Sequence, residues 1–375
     1  MNFDFSDDVK LLREQARKFL AERCKPAVVR KILEGPDAYD KALWTEIAAM
    51  GWTGAAIPED YGGAGIGHLG LCVLAEEIGA VVAPIPFSSS IYLAAEAILA
   101  GGTAAQKQNW LQKLATGEAI GTLALAEGPG KASLKKLRAT VRGGTLSGEK
   151  LPVPDGEAAT MAVVVAQSDR GIALAIVDLT GPGVTRTPVE TIDQSRKHAH
   201  IVFDNAPCEW LGQPGPGANG GEALLRNIQD RAAILFAFEQ VGGAQRALEM
   251  ARDYALERYA FGRPIGSFQA IKHKLADVYV ATELARSNAY YGAWALATNA
   301  PELPVAAAAA RVAASEAFYL AAKENIQVHG GMGFTWGFDC HLYYRRSKML
   351  ALALGSTRAW KDRLVTQLET SNAPI

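Results

Sequence analysis

The sequence predicts an α+β multidomain protein with an N-terminal α-helical domain (residues 1–120), a middle β-barrel or β-sandwich domain (121–221) and a C-terminal helical bundle (222–375). Three observations predict this class. Apolar residues recur at helical spacing before residue 120, short β-rich runs fill residues 121–211, and helical spacing returns after residue 222. A chain of 375 residues has the length of two or three domains and can bury a large core.

The composition predicts a soluble globular protein and excludes several partners. Lys and Arg number 38 against 39 Asp and Glu, so the basic surplus of a nucleic-acid-binding protein is missing. We expect no membrane span, because no apolar run approaches the roughly 20 residues required without a charge, and the acidic start does not resemble a signal peptide. The four cysteines form no CxxC pair, so no metal site is expected. A cytoplasmic location is the expectation.

Helix signals follow one another through the first 120 residues. Ser6 suits the N-cap of a first helix, whose apolar residues recur at helical spacing from Val9 to Phe19. The segment IPEDYGGAG, which contains Pro58 and three glycines, predicts a loop. Further helices are predicted around Tyr39–Met50, Gly67–Ile78, Ile91–Leu99 and Thr103–Leu114.

Short apolar runs separated by Gly, Pro and Asp predict a small antiparallel sheet or barrel in the middle of the chain. A Gly- and Pro-rich segment, GQPGPGANGG at residues 212–221, ends this region. The predicted strands are TLALA (122–126), ATVRG (139–143), MAVVVAQ (161–167), IALAIVDL (172–179), VTRTPV (184–189) and AHIVF (199–203).

Long helices are predicted after Glu222. Ile271, Leu275 and Val278 recur on one face of such a helix. The Ala-rich run at 305–328 has a high helix propensity, and its small side chains let neighbouring helices approach closely. This run is therefore predicted to lie at the centre of a bundle.

Three strings, taken together, resemble the FAD-dependent acyl-CoA dehydrogenases. They are PEDYGG with the following EEIG (76–79), ERYAFGRPIGSFQ (257–269) and QVHGGMGF (327–334), and their order and separation match over nearly the whole chain. The resemblance implies a C-terminal four-helix bundle and a flavoenzyme of lipid catabolism that desaturates an acyl-CoA to its 2,3-enoyl-CoA. It also implies electron-transfer flavoprotein as the acceptor and a dimer of dimers, homomeric or mixed.

The resemblance assigns a pyrophosphate site for FAD to the second string. Arg258 corresponds to the arginine that contacts the pyrophosphate, and a permanently charged, forked guanidinium suits two phosphate groups. Phe261 and Gln269 correspond to the positions that flank the same group. These three residues are the first predicted cofactor-binding residues.

The third string is expected to act from a different subunit. Gln327, Gly330 and Gly331 correspond to the family segment that crosses to the neighbouring subunit's flavin, where glycine permits a close backbone approach. If so, an isolated monomer should not hold FAD.

The middle domain departs from the family at the flavin ring. The family strand reads like TEPxxGS, and here the threonine that reaches the ring is replaced by Ala126. A family Trp-x-Thr beside the ring is replaced by Pro152 and Pro154. Backbone groups of Leu125 and Ala126 can still bond the ring edge, because those contacts need no particular side chain.

The usual catalytic glutamate is also missing. The family carries it in a YEGTS string near the C-terminus, and the matching ALGST string has Leu354 at that position. Leucine cannot accept a proton. Its backbone N–H can still bind the thioester oxygen, which makes Leu354 a candidate substrate-binding residue.

Asp230 is the candidate replacement base. Some branches of the family place the base on an earlier helix, immediately before an arginine, and the string NIQDRAA has Asp230 followed by Arg231. A carboxylate in an apolar pocket has a raised pKa, which suits a base, and Arg231 is a candidate substrate-binding residue. Asp is one methylene shorter than the usual Glu. The alternative is a solvated helix residue beside an ordinary arginine.

Three functions remain open from the sequence. The first is an acyl-CoA dehydrogenase with Asp230 as base, whose acyl group is branched or ring-bearing because a base on this helix is sometimes associated with such substrates in the family. The second is a non-catalytic or half-site subunit of a mixed oligomer. The third is a flavoenzyme of the same fold with other chemistry, such as desulfination.

Overall fold

A computed structural model describes residues 5–130, 132–217 and 220–371. Helices precede and follow a β-sheet in these residues, which confirms the predicted fold class. The N-terminal helices are α1 (Asp7–Arg23), α2 (Pro26–Glu34), α3 (Lys41–Ala49), α4 (His68–Ala80), α5 (Glu96–Gly101) and α6 (Ala104–Ala115). The C-terminal helices are α7 (Gly221–Glu257), α8 (Gln269–Ala297), α9 (Leu303–His329), α10 (Cys340–Leu352) and α11 (Thr357–Ser371).

The chain forms two compact units, each assembled from segments that are distant in sequence. The helical unit is the described part of Met1–Val29, Cys72–Ala83 and Ala233–Ile375, and the barrel unit is that of Arg30–Leu71 and Pro84–Ala232. The division of the sequence into three domains stays a prediction.

The predicted helix starts agree with side-chain caps. The Ser6 hydroxyl accepts a hydrogen bond from the Val9 N–H, as an N-cap should. Thr103 and Gln106 form a reciprocal capping box at the start of α6. Helix α2 has no predicted counterpart. The helix expected around Ile91–Leu99 is present, but its first part lies in a buried π-helix, Ser88–Ala95, that continues into α5.

The barrel unit contains seven strands in the described residues, five of which close into a barrel. The strands are β1 (Gly121–Ala124), β2 (Thr140–Arg142), β3 (Thr145–Val153), β4 (Met161–Ser168), β5 (Gly171–Asp178), β6 (Val184–Val189) and β7 (His198–Leu211). The pairing runs β4–β2–β3–β7–β5 and returns to β4, while β1 lies beside β4 and β6 beside β7. The β1–β4 and β2–β4 pairs are parallel, so the expectation of an antiparallel sheet is wrong for these pairs.

The strand that closes this barrel, β3, has no predicted counterpart. Its register shifts between Leu146 and Gly148 and again between Lys150 and Val153, so apolar and polar residues do not alternate regularly along it. Gly148 and Pro152 are also residues that normally count against a strand. The register shifts explain how both are accommodated.

Helix α9 lies in the core of the helical unit. The helical stretch Leu303–Phe334 is long and apolar enough to cross a membrane by length and composition, but Arg311 and Glu316 interrupt its apolar run. Most of its apolar window (61%) is buried inside the protein, however, which is typical of a core helix. Phe318 and Ala310 are fully buried, and the buried Arg311 donates a hydrogen bond to Gln240.

Candidate active site

A cavity of about 350 Å³ in the helical unit brings together residues from two of the family-like strings. Arg258, Gly330 and Gly331 line it. The two segments thus meet within one chain, although the resemblance implies that the glycines act from a different subunit. The remaining lining residues are Tyr254, Ile265, Val328, His329 and Met332.

Arg258 is held by its backbone while its side chain stays exposed. Its N–H donates to the Tyr254 carbonyl at the end of α7, and its carbonyl accepts from the Ile265 N–H, both at 2.8 Å. These bonds fix the residue where α7 passes into a hairpin of two short strands, β8 (Tyr259–Ala260) and β9 (Arg263–Pro264). The guanidinium is therefore anchored at its base and accessible at its tip.

Phe261 stands at the tip of this hairpin and is 94% exposed. Its φ is 52° and that of Gly262 is 79°, so both loop residues adopt the left-handed conformation of a tight hairpin turn. A non-glycine residue in this conformation costs about 1–2 kcal/mol. Part of the Phe261 ring contacts Phe268, edge to face, at 6.2 Å between centroids. An exposed aromatic ring at such a strained position is suited to a ligand or a partner.

Gly330 and Gly331 follow the C-terminus of α9 and leave the adjacent space open. A Cβ atom added at either glycine would meet no atom of the chain within 4 Å. Packing of the chain itself therefore does not demand glycine at Gly331, whereas the φ of 61° and ψ of −140° at Gly330 do. Gln327, whose carbonyl accepts from the Gly330 N–H, and Gln269, the first residue of α8, are both exposed.

The cavity wall includes an aromatic pair that was not predicted from the sequence as part of the site. His329 stacks on Tyr254 with 4.1 Å between ring centroids, and its Nδ1 lies 2.8 Å from the Asn325 carbonyl. Burial lowers the pKa of His329, and the bond to Asn325 opposes that shift. The position of His329 beside the glycine pair is the signal that could have identified it.

In the barrel unit, the Leu125–Ala126 segment follows β1 and is half-buried. The Ala126 carbonyl accepts from the Leu151 N–H at 2.8 Å, and the Gly128 N–H donates to the Leu151 carbonyl at 2.8 Å. The Leu125 carbonyl accepts from the Lys150 ammonium at 3.2 Å. Both carbonyls already accept a hydrogen bond within the chain, so the N–H groups are the donors this segment can offer to a flavin ring edge.

Asp230 and Arg231 lie in the part of α7 that belongs to the barrel unit, and both are buried, at 4% and 9% exposure. The solvated-helix alternative for Asp230 is therefore wrong. Arg231 is held by a buried ion pair, with its Nε 2.6 Å from a carboxylate oxygen of Glu96. The other Glu96 oxygen lies 2.7 Å from Nε2 of His68. Arg231 is thus restrained by two residues of its own unit.

The pKa of Glu96 reflects its interactions with His68 and Arg231. Burial would raise the pKa of Glu96, but the charges and hydrogen bonds of His68 and Arg231 outweigh burial and lower it to about 2. Glu96 is therefore ionised at any physiological pH, and it balances the charge of Arg231 beside Asp230.

Leu354 follows α10 in the helical unit and is half-buried. Its carbonyl accepts a hydrogen bond from the indole N–H of Trp360 at 3.0 Å, and the next residue, Gly355, has a φ of 94°. The first of these features orients the peptide group between Leu354 and Gly355. Asp230 belongs to the other unit.

Comparison with known proteins identifies the family. Residues 6–118 match the acyl-CoA dehydrogenase N-terminal domain, and residues 219–367 match the acyl-CoA dehydrogenase C-terminal domain. Acyl-CoA dehydrogenase IpdE2 of Mycobacterium tuberculosis is 34% identical over 96% of this chain and 98% of its own length. The mouse mitochondrial short-chain specific acyl-CoA dehydrogenase is 30% identical, over 93% of this chain and 87% of its own.

Several solved structures have a fold similar to that of this chain. A variant of the Tcur3481–Tcur3483 steroid ACAD has a TM-score of 0.88 and 32% identity over 98% of this chain and 99% of its own. The butyryl-CoA dehydrogenase of Megasphaera elsdenii has a TM-score of 0.87 and 27% identity over 98% of this chain and 100% of its own. The ChsE4–ChsE5 complex from Mycobacterium tuberculosis has a TM-score of 0.88 and 27% identity over the full length of both chains.

The chain belongs to the acyl-CoA dehydrogenase family and is an FAD-dependent oxidoreductase that acts on an acyl-CoA. The residues of the cavity fit that cofactor. Arg258 offers a cation to the diphosphate, and the two glycines leave room for a close approach. Phe261, on the hairpin that follows Arg258, offers an exposed ring outside the cavity lining. These assignments to individual residues are proposals.

Proposed function

We propose that this protein catalyses the α,β-desaturation of an acyl-CoA thioester to the 2,3-enoyl-CoA, with Asp230 as the base. The single observation that carries the proposal is the buried Asp230–Arg231 pair on α7, found together with a leucine at the usual glutamate position. FAD, when bound, supplies the acceptor for the hydride from the β-carbon.

The residues of the chain supply the remaining chemistry. Asp230 takes the α-proton, and the Leu354 N–H binds the thioester oxygen, where negative charge develops as that proton leaves. The ion pair with Glu96 keeps Arg231 in place next to the base. Arg258 with Phe261, Gln269, Gln327, Gly330 and Gly331 would hold the FAD diphosphate, and Leu125 and Ala126 the ring edge.

A ring-bearing or branched acyl group is the proposed substrate class. The Tcur3481–Tcur3483 protein is described as a steroid ACAD, which supports a ring-bearing acyl group. The position of the base on α7 supports the same class. A straight-chain acyl-CoA remains the competing class, because the butyryl-CoA dehydrogenase is also similar.

Electron-transfer flavoprotein is the proposed acceptor, and a dimer of dimers the proposed assembly. One similar structure, with a TM-score of 0.89 and 26% identity, is described as an electron transferring flavoprotein of Acidaminococcus fermentans. We also propose a cytoplasmic location. A flavin-loaded monomer in sedimentation would overturn the proposed assembly.

The proposed base is tested with Asp230→Asn, which keeps the side-chain shape and removes proton acceptance. FAD content and acyl-CoA binding should stay near those of wild type, while flavin reduction slows at least about a hundredfold. The measurement is stopped-flow bleaching of the flavin band with straight, branched and ring-bearing acyl-CoAs. The wild-type rate should rise with pH through one ionisation that Asp230→Asn lacks.

Leu354→Glu in the Asp230→Asn background is the matched control. It refills the position at which the family carries its glutamate, so part of the activity should return. Reduction of Asp230→Asn at the wild-type rate would show that the base lies elsewhere. Faster bleaching by straight chains than by ring-bearing ones would contradict the substrate class but not the reaction.

The second candidate is a half-site subunit of a mixed oligomer. The Tcur3481–Tcur3483 and ChsE4–ChsE5 names each pair two different proteins, which favours this arrangement. The departures at Ala126, Pro152 and Leu354 favour it as well. A protein that is colourless alone and binds FAD only when co-expressed with a homologue would support it, and stoichiometric FAD in the homomer would exclude it.

A further inference from the structure

We propose that Lys150 is a positioning residue for the flavin ring edge: with Glu127 and Arg138 it fixes the Leu125–Ala126 peptide group and makes its N–H a stronger hydrogen-bond donor. The inference rests on the proposed function, in which the Ala126 N–H meets the ring. The three charged residues are called the Glu127 clasp below.

The centre of the clasp is a buried ion pair. The Lys150 side chain is fully buried, and its Nζ lies 2.7 Å from a carboxylate oxygen of Glu127. The same Nζ donates to the Leu125 carbonyl at 3.2 Å. Burial of a charge is costly unless it is paired and hydrogen-bonded, and here both conditions hold. Lys150 is therefore confined to one position against the Leu125 carbonyl.

The clasp also holds the segment on the far side of Ala126. The carboxylate of Glu127 accepts from the backbone N–H groups of Arg138, at 2.6 Å, and Ala139, at 3.1 Å. The Arg138 guanidinium donates a hydrogen bond to the Glu127 backbone carbonyl at 3.0 Å. Because β3 binds the opposite edge through Leu151, the segment is fixed from two sides.

The contact with Leu125 acts on the next residue through one peptide group. The Leu125 carbonyl and the Ala126 N–H belong to the same conjugated amide, so a cation bonded to the oxygen withdraws electron density from the N–H. Hydrogen bonds in such chains strengthen one another by about 10–30% each. A stronger donor at the ring edge favours the reduced, more electron-rich flavin over the oxidised one.

This arrangement explains how the barrel unit can lack the family's ring-binding side chains. Ala126 and Pro152 offer neither a hydroxyl nor an indole, so the backbone must supply the hydrogen bonds. A backbone donor is useful only when its orientation is fixed, and the clasp fixes it.

The experiment compares wild type with the double variant Lys150→Met/Glu127→Gln in the FAD-loaded oligomer. Both charges are removed together, because a single change would leave the other charge buried and unpaired. Three quantities are measured: the Kd for FAD, the visible spectrum of the bound flavin and its midpoint potential. We expect about tenfold weaker FAD binding and about a tenfold smaller ratio of reduced to oxidised flavin at a fixed potential, which corresponds to about 30 mV.

Two further variants keep the test decisive. Asp155→Asn/Arg196→Met removes another buried ion pair of the barrel unit, whose members form hydrogen bonds with Ser89 and Ser88. It should lower stability and leave the potential unchanged. Lys150→Arg keeps the cation and its donors, so its potential should lie closer to wild type than that of the double variant.

An unchanged spectrum, Kd and potential in the folded double variant would overturn the inference while leaving the proposed function intact. An equal shift in Asp155→Asn/Arg196→Met would also overturn it, because the effect would then be a general loosening of the barrel. Failure of wild type to take up FAD in any oligomer would instead refute the proposed function.

Discussion

The cavity of the helical unit and the charged clusters of the barrel unit differ in whether their candidate site residues are exposed or buried. Around the cavity, Arg258, Phe261 and Gly331 are exposed, and packing within the chain does not explain their residue types. In the barrel unit, Arg231 and Lys150 are buried and held by the carboxylates of Glu96 and Glu127.

The difference separates ligand effects from stability effects. Removing a charge that faces solvent changes the free energy of unfolding little, so its loss should mainly weaken FAD binding. A buried, paired charge leaves its partner uncompensated when it is removed, so its loss should register in the free energy of unfolding. Three variants test whether the two regions divide in this way.

The largest effect is expected at Glu96. Its folded-state pKa lies below the unfolded value of 4.5, so the stability it contributes is fully present above that pH and is lost as the pH falls towards 2. A shift of this size corresponds to on the order of 3 kcal/mol. Glu96→Gln should therefore be less stable than wild type by about this amount at pH 7, and the gap should narrow steadily below pH 4.5.

Urea unfolding at a series of pH values measures the gap. Glu118→Gln is the control, because this carboxylate is exposed and the variant should parallel wild type throughout. A gap between Glu96→Gln and wild type that stays constant from pH 7 to pH 2 would contradict the assigned ionisation.

Arg258→Ala should have the next largest effect, and on binding alone. A charge-assisted contact with phosphate contributes about 1.5–3 kcal/mol, so FAD should bind roughly 10- to 100-fold more weakly. Thermal unfolding of the apoprotein should change little. Equilibrium dialysis with FAD measures the affinity, and Arg252→Ala, an exposed arginine paired with Asp253 on the same helix, should bind FAD like wild type. Equal losses in both variants would mean that only the overall charge matters.

The smallest effect is expected for a comparison of two glycines in the short 3-10 helix Gly330–Phe334. A methyl group at Gly331 meets no atom of the chain, so Gly331→Ala should unfold within about 0.5 kcal/mol of wild type and yet bind FAD about tenfold more weakly. At Gly333 the added Cβ would lie 2.6 Å from the Ile326 carbonyl oxygen, so Gly333→Ala should lose stability. Chemical unfolding and FAD titration of the two variants measure both quantities. A loss of stability in Gly331→Ala without weaker binding would exclude the glycine from the cofactor site.

Much of the fold could be predicted because its signals are local. The Ser6 cap and the Thr103–Gln106 capping box each involve residues three positions apart, and the strands β4 and β5 are continuous apolar runs. Strand β3 could not be predicted, because its irregular register is set by its pairing with β7 rather than by its own alternation of residues.

For the candidate site, too, the local features could be predicted from the sequence and the long-range contacts could not. The sequence alone determined the order of helices and strands, the family-like strings, and the residues available for the site, including Asp230 in place of the usual base. Only the tertiary structure decided that Arg231 would pair with Glu96, 135 residues away, and approach His68, 163 residues away. It likewise decided that Lys150 would be buried against Leu125 and Glu127. Periodicity and capping act between near neighbours in the chain, whereas a buried charge is tolerated only where folding brings its partner to it.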